Sequence, residues 1–160
     1  MVDAFLKIDG IEGESPDGKH GKEIQLLSFT IGANQTGTSA MGGGMGAGKV
    51  NMHDLHVVHH IDKASPKLLL ACATGQHIAS AILSVRKAGG TQMDYLIMTL
   101  TDVLISSVEA SASSGNPELP TEQFSLNFSK IQYDYKEQKA DGSLGGAVTM
   151  GYDVKKNQKV

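Results

Sequence analysis

The chain has 160 residues, 40% of them hydrophobic and 19% charged, the balance of a single globular domain and not of a disordered tail. Its 14 basic and 17 acidic residues give a net charge of −3, which excludes a general nucleic-acid binder built on a basic face. No run approaches the length of a membrane span, and Met1–Ser15 has no basic start followed by an apolar run, so neither membrane insertion nor a signal peptide is expected.

Glycine is abundant, at 19 residues, while aromatics make up 5% and tryptophan is absent. The core therefore rests on aliphatic side chains and methionine. Cys72 is the only cysteine, so an internal disulfide and a thiolate metal cluster within one chain are both excluded.

In chain order, Phe5–Ile8 reads as a strand, broken by Gly10, Gly13, Pro16 and Gly18. Residues 23–31, EIQLLSFTI, alternate with period two. Leu27, Phe29 and Ile31 form the expected core face, and Leu26, Ser28 and Thr30 the other. Residues 32–48 hold seven glycines and read as one long loop, a length that in compact domains is usually functional or disordered. Lys49–Asp62 reads as a strand with imperfect alternation.

Ser65–Thr74 is the one clear helix, with Ser65 as N-cap, Pro66 in the first turn and Gly75 closing it. Leu68, Leu69, Leu70 and Cys72 supply its apolar side. Strands follow at Ile78–Lys87, Met93–Ser107, Glu122–Tyr135 and Ala147–Val154, with turn signals at Ala88-Gly89-Gly90 and Asp141-Gly142. Phe124, Leu126 and Phe128 share one parity and Ile131, Tyr133 and Tyr135 the other, so a bulge is expected near Ser129-Lys130. About seven strands and one helix imply a mainly β fold, a closed barrel or a sandwich.

Two local patterns suggest chemistry. Gly43–Lys49, GGMGAGK, has phosphate-loop spacing, but Val50 stands where a magnesium-binding Ser or Thr belongs, and the next segment looks like a strand. His53, His56, His59 and His60 crowd eight residues beside Asp54 and Asp62. On a strand, His56 and His60 share a face with Asp54 while His53 and His59 point the other way, too few ligands on either side for zinc. These histidines read instead as solvated or interface groups that tune association near pH 6. Cofactors are expected to be none. No serine lies in a nucleophile elbow, and no carboxylate pair is spaced for catalysis.

Seven stretches in order carry a resemblance: FLKIDGIEGES (5–15), EIQLLSF (23–29), DKASPKLLLACATGQH (62–77), RKAGG (86–90), YLIMTLTDVLISS (95–107), EQFSLNFSKI (122–131) and GYDVKKN (151–157). Together they span nearly the whole chain and resemble the haemolysin-coregulated protein (Hcp) family of bacterial type VI secretion. The family often has tryptophan where Phe29 and Tyr152 stand here; both replacements keep an aromatic. The histidine cluster is not part of the family pattern as it is read here.

The resemblance implies a two-sheet closed β-barrel with one short helix, related to phage tail tubes, and a single tube domain with no fused toxin. It implies homohexameric rings stacking into a tube that carries small effectors in its lumen, meets a spike protein and is expelled by a contractile sheath. The path runs from the bacterial cytoplasm to the outside through type VI secretion, without catalysis. Within such a tube, Ser28 and Thr30 are expected to face the lumen. Met41, Gly42, Gly43, Gly44, Met45, Gly46 and Lys49 are expected to lie in a loop that contacts neighbouring subunits or rings. The competing expectation is a monomeric module that binds a metal or a nucleotide.

Overall fold

A computed structural model describes residues 2–37 and 47–160 of the chain. In chain order the elements are β1 (Val2–Ile8), β2 (Ile24–Leu26), β3 (Ser28–Thr30), β4 (Ala33–Gly37), β5 (Ala47–Met52), β6 (Leu55–His60), α1 (Ser65–Thr74), β7 (Ile78–Lys87), β8 (Asp94–Ser111), β9 (Thr121–Gln138), β10 (Leu144–Asp153) and β11 (Gln158–Lys159). The main sheet is antiparallel and runs β11-β10-β9-β8-β7-β1-β2. β9 is long enough to serve two partners along one edge: residues 121–126 pair with β6, and 130–138 pair with β10. Its other edge pairs with β8.

The expected closed β-barrel does not form; the strand ladders are antiparallel and open. Residues 23–31 are not one strand but two three-residue strands with different partners. β2 pairs β1 up to Ala4↔Leu26, and β3 pairs β6 from Ser28↔Val58. At the change of partner Leu27 turns outward and is 55% exposed, while Leu26 is buried. The facing expected for these two leucines is thus reversed, although Phe29 and Ile31 do pack against the core. Residues 32–48 are not loop throughout either. β4 and β5 form a separate two-stranded arm with Ala33↔Met52 and Gln35↔Val50 in register.

The core draws on β1 (Leu6), β7 (Leu83), β8 (Met98, Leu100), β9 (Phe124, Leu126) and the helix (Leu68, Ala71). β8 and β9 change their buried face midway: Val103 and Phe128 are buried on one side of the change, Leu100 and Ile131 on the other. These residues pair as Val103↔Phe128 and Leu100↔Ile131, so the register is the same on both sides. No residue is inserted at Ser129-Lys130, where a bulge was expected. Both strands switch face together where Asp102 lies opposite Ser129: Asp102 adopts φ 54°, and the Ser129 hydroxyl donates to Asp102 Oδ2 at 3.0 Å. The register shift lies instead between Ile105 and Ser107.

The helix has the expected bounds, but its N-cap is Ala64 and not Ser65. Asp62 Oδ1 accepts from the Ala64 amide at 2.8 Å, and Ser65 Oγ accepts from the Asp62 amide at 3.1 Å. This reciprocal pair fixes the turn that leads into the helix, while among the described residues no side chain caps the amides of its first turn. Gly75 closes the helix in the left-handed region at φ 65°, as expected. Only Ser65, Leu68 and Ala71 are buried on the helix; Leu69 and Leu70 are exposed, and Cys72 is half-buried.

Residues 9–23 cover the outer face of β1 and β7. Phe5 points away from the aliphatic core yet is 1% exposed, because this segment folds over it. Gly13 N–H donates to Lys22 O at 2.8 Å and Ser15 N–H to Glu23 O at 3.0 Å. The His20 ring stacks on Phe5 at 4.5 Å between centroids, and the Arg86 guanidinium lies 4.9 Å from the same ring. Arg86 Nη1 donates to Asp17 Oδ2 at 3.0 Å, and this guanidinium holds the Asp17 carboxyl well below the usual carboxylate range.

Candidate functional site

The outward face of β3, β6, β9 and β8 is a largely polar surface that the strand register assembles. Because side chains directly opposite each other share a face, the pairings Thr30↔His56, His56↔Ser125 and Ser125↔Ser107 place these four residues in one row across four strands. The next row runs Ser28, Val58, Gln123, Glu109. An open groove of about 630 Å³ follows these rows, lined among others by Ser28, Thr30, His56, Ser107, Glu109 and Gln123.

The bulge between Ile105 and Ser107 gives this face its hydroxyl cluster. It sets both Ser106 and Ser107 against Ser125, with Oγ–Oγ distances of 2.7 and 2.5 Å. Ser106 also donates to Asp54 Oδ2 at 2.6 Å, and Asn127 Nδ2 donates to Asp54 Oδ1 at 2.9 Å. Gln123 Nε2 donates to Glu109 Oε2 at 3.0 Å. The Asp54 carboxylate is thus held by a serine and an amide, not by a histidine, and the arrangement is not a Ser–His–Asp relay. What it offers a partner is hydroxyl, amide and imidazole hydrogen bonding along an open groove.

Ser28 and Thr30 are exposed on this face, as their parity predicts. Sequence reasoning did not bring Ser107, Glu109, Gln123, Ser125 and Asn127 to the same wall. The signal was present in part, since Gln123, Ser125 and Asn127 alternate with Phe124, Leu126 and Phe128 along β9. Lys49 is exposed on β5, a strand, so the helix that a phosphate loop requires does not follow it. Met41, Gly42, Gly43, Gly44, Met45 and Gly46 lie outside the described residues.

The four histidines separate. His56 and His60 are exposed on one side of β6, His53 is exposed beyond its start, and His59 is fully buried. His59 Nε2 lies 2.8 Å from Glu122 Oε1, and its ring meets Phe124 edge-on at 5.3 Å. Asp62 Oδ2 is 3.7 Å from Nδ1. Burial pushes the Asp62 carboxyl up, against the Ala64 amide and the attraction of His59. His59 therefore joins β6 to β9 and to the start of α1. Among the described residues no three His, Cys, Asp or Glu side chains are grouped to hold a metal ion, and no helix is long and apolar enough to cross a membrane.

A family model described as "Type VI secretion system effector, Hcp" matches residues 5–135. The protein hcp1 of Pseudomonas aeruginosa is 48% identical over 158 residues, 98% of this chain and 97% of that protein. The chain belongs to the Hcp family. Solved structures agree. Hcp1 from Salmonella typhimurium superposes with a TM-score of 0.81 at 38% identity over 99% of both chains. A structure described as a type six secretion system protein superposes with a TM-score of 0.94 at 30% identity over the full length of both. The outward wall of β3, β6, β9 and β8 thus belongs to an Hcp-family protein of type VI secretion.

Proposed function

We propose that this Hcp chain is a structural, non-catalytic subunit of the type VI tube: it closes into homohexameric rings, the rings stack, and the lumen carries small effector proteins. Full-length similarity to Hcp proteins carries the reading. The exposed apolar side chains Leu69, Leu70, Val148 and Met150 support it, because a monomer gains nothing by leaving them in water. A ring needs a heterologous contact in which one patch meets a different patch on the neighbour. The spike and the contractile sheath are the further partners of this reading, and export from the bacterial cytoplasm is its route.

The β4–β5 arm supports a contact role for the segment containing Met41–Gly46 and Lys49. A two-stranded ribbon is marginally stable alone and gains order by docking on another subunit. At micromolar concentration, sedimentation should give a species of about six times the chain mass, and electron micrographs should show rings. Deleting Met41–Gly46 should preserve folding and impair ring or tube formation. A sharp monomer peak from the intact chain would overturn the ring, and unchanged tubes after the deletion would overturn the role of the segment.

Ser28 and Thr30, with the hydroxyl rows beside them, form the lumenal wall in this reading. Small hydroxyl side chains let varied cargo pass without a strong apolar grip. Thr30→Gln, alone and with Ser28→Gln, should leave rings intact because neither residue is buried, and should reduce co-purification of cargo by crowding the wall. Loss of the ring, or full retention of every cargo tested, would assign this face another task.

A further inference from the structure

His20 is 6% exposed and sits at a three-way junction. Its Nδ1 lies 3.0 and 3.1 Å from the two carboxylate oxygens of Glu23, and its Nε2 lies 3.0 Å from Asp94 Oδ1. A neutral imidazole carries one N–H and presents a lone pair at the other nitrogen. Two carboxylates can both be satisfied only by the doubly protonated ring. Glu23 and His20 belong to the segment 9–23; Asp94 begins β8, just beyond the turn that leaves β7. Lys19 Nζ makes a second link, donating to Gln92 O at 3.2 Å.

The geometry points to a proton-dependent clasp: His20, charged, holds residues 9–23 to the β7–β8 turn, and loss of its proton loosens both segments together. The charged groups around the ring come from every element packed on it. β1 supplies Asp3 beside the Phe5 that the ring stacks on. The covering segment supplies Asp17, Lys19 and Glu23. β7 supplies Arg86, and β8 supplies Asp94. Asp17 and Arg86 neutralise each other in a forked pair, and Asp3 lies 3.6 Å from the remaining guanidinium nitrogen. Among the described residues, Glu23 and Asp94 are the only carboxylates bonded to the imidazole.

Burial works against the charged ring, but the hydrogen bonds and charges of Asp94 and Glu23 outweigh it, so His20 titrates above the ordinary histidine value. A raised value fixes the sign. The clasp contributes fully below about pH 6.5, where a free histidine is already charged, and its contribution disappears as pH rises through the higher folded value.

Amide hydrogen exchange of the full chain, read by mass spectrometry from pH 5.5 to 9 and corrected for intrinsic rates, tests this. Each sample is held in one assembly state, checked by sedimentation. Protection of peptides covering 9–23 and 87–94 should fall by about tenfold for each unit by which the folded value exceeds the free one. Peptides from the middle of β8 and β9 should not change. His20→Gln should show low protection in the two segments at every pH. Asp94→Asn, which keeps an acceptor and removes a charge, should move the midpoint to lower pH and serves if the first variant does not fold. Protection that stays flat across the range in the intact chain, or a midpoint that Asp94→Asn leaves in place, overturns the clasp.

Discussion

Phe5→Ala is expected to destabilise the fold by about 3–5 kcal/mol, the range for emptying a large buried aromatic site. The site cannot collapse easily. Phe5 is 1% exposed but stands outside the aliphatic core, and its walls are a stacked imidazole and a guanidinium. Truncation removes the surface that covers Arg86, whose Nε already lacks a hydrogen-bond partner, and lets water reach the His20–Asp94 pair. For a chain of this length each kcal/mol moves the melting temperature by about 2–4 °C, so the midpoint should drop by roughly 6–20 °C. Calorimetry at pH 6, with Phe5→Leu as the milder control, checks the result. A drop of only a degree or two would mean that residues 9–23 do not depend on the ring beneath them.

Gly13→Ala should be the second severe change, for a different reason. A Cβ at Gly13 would lie 2.6 Å from Glu23 O and 2.7 Å from Ile24 Cα. Both are backbone atoms that cannot swing aside, so the segment must lift away from the start of β2. Forced overpacking typically costs about 1–3 kcal/mol, and here the displacement also pulls Glu23 and His20 from their shared hydrogen bonds. Gly18→Ala is the matched control, since nothing lies within 4 Å of its added carbon, and it should be nearly neutral. Urea midpoints for the three proteins decide the matter. Equal midpoints for both variants would show that residues 13–15 shift without consequence.

The elements legible in the sequence are those whose signals are local. Ile78–Lys87 and Ser65–Thr74 have the bounds that the sequence suggests, because a proline in the first turn, a closing glycine and a β-rich run each act within a few residues. The failure to close is not local. Leu27 faces solvent because the chain changes partner there, from β1 to β6, and no alternation in residues 23–31 encodes which strand will be the neighbour. The covering of Phe5 was hidden in the same way. Phe5 and Leu6 are adjacent and both buried, which period two cannot express, and the groups that bury Phe5 include Arg86, far along the chain. His20 and Asp94 are 74 residues apart, so their bond has no sequence spacing to betray it. The polar wall was half legible: Ser28 and Thr30 follow from parity, whereas the serines that complete it meet through a bulge between Ile105 and Ser107.

The two outer faces of the sheet also divide the chain's freedom to change. Where residues 9–23 lie over β1 and β7, Asp17, His20 and Arg86 each answer to several other groups, and drift there is penalised through folding. On the face of β3, β6, β9 and β8, Ser28, Thr30 and His56 are exposed, so folding places little constraint on them and only what they touch outside the chain does. Surface chemistry there can therefore be rewritten, by descent or by an engineer, at positions whose alteration leaves the fold unaware.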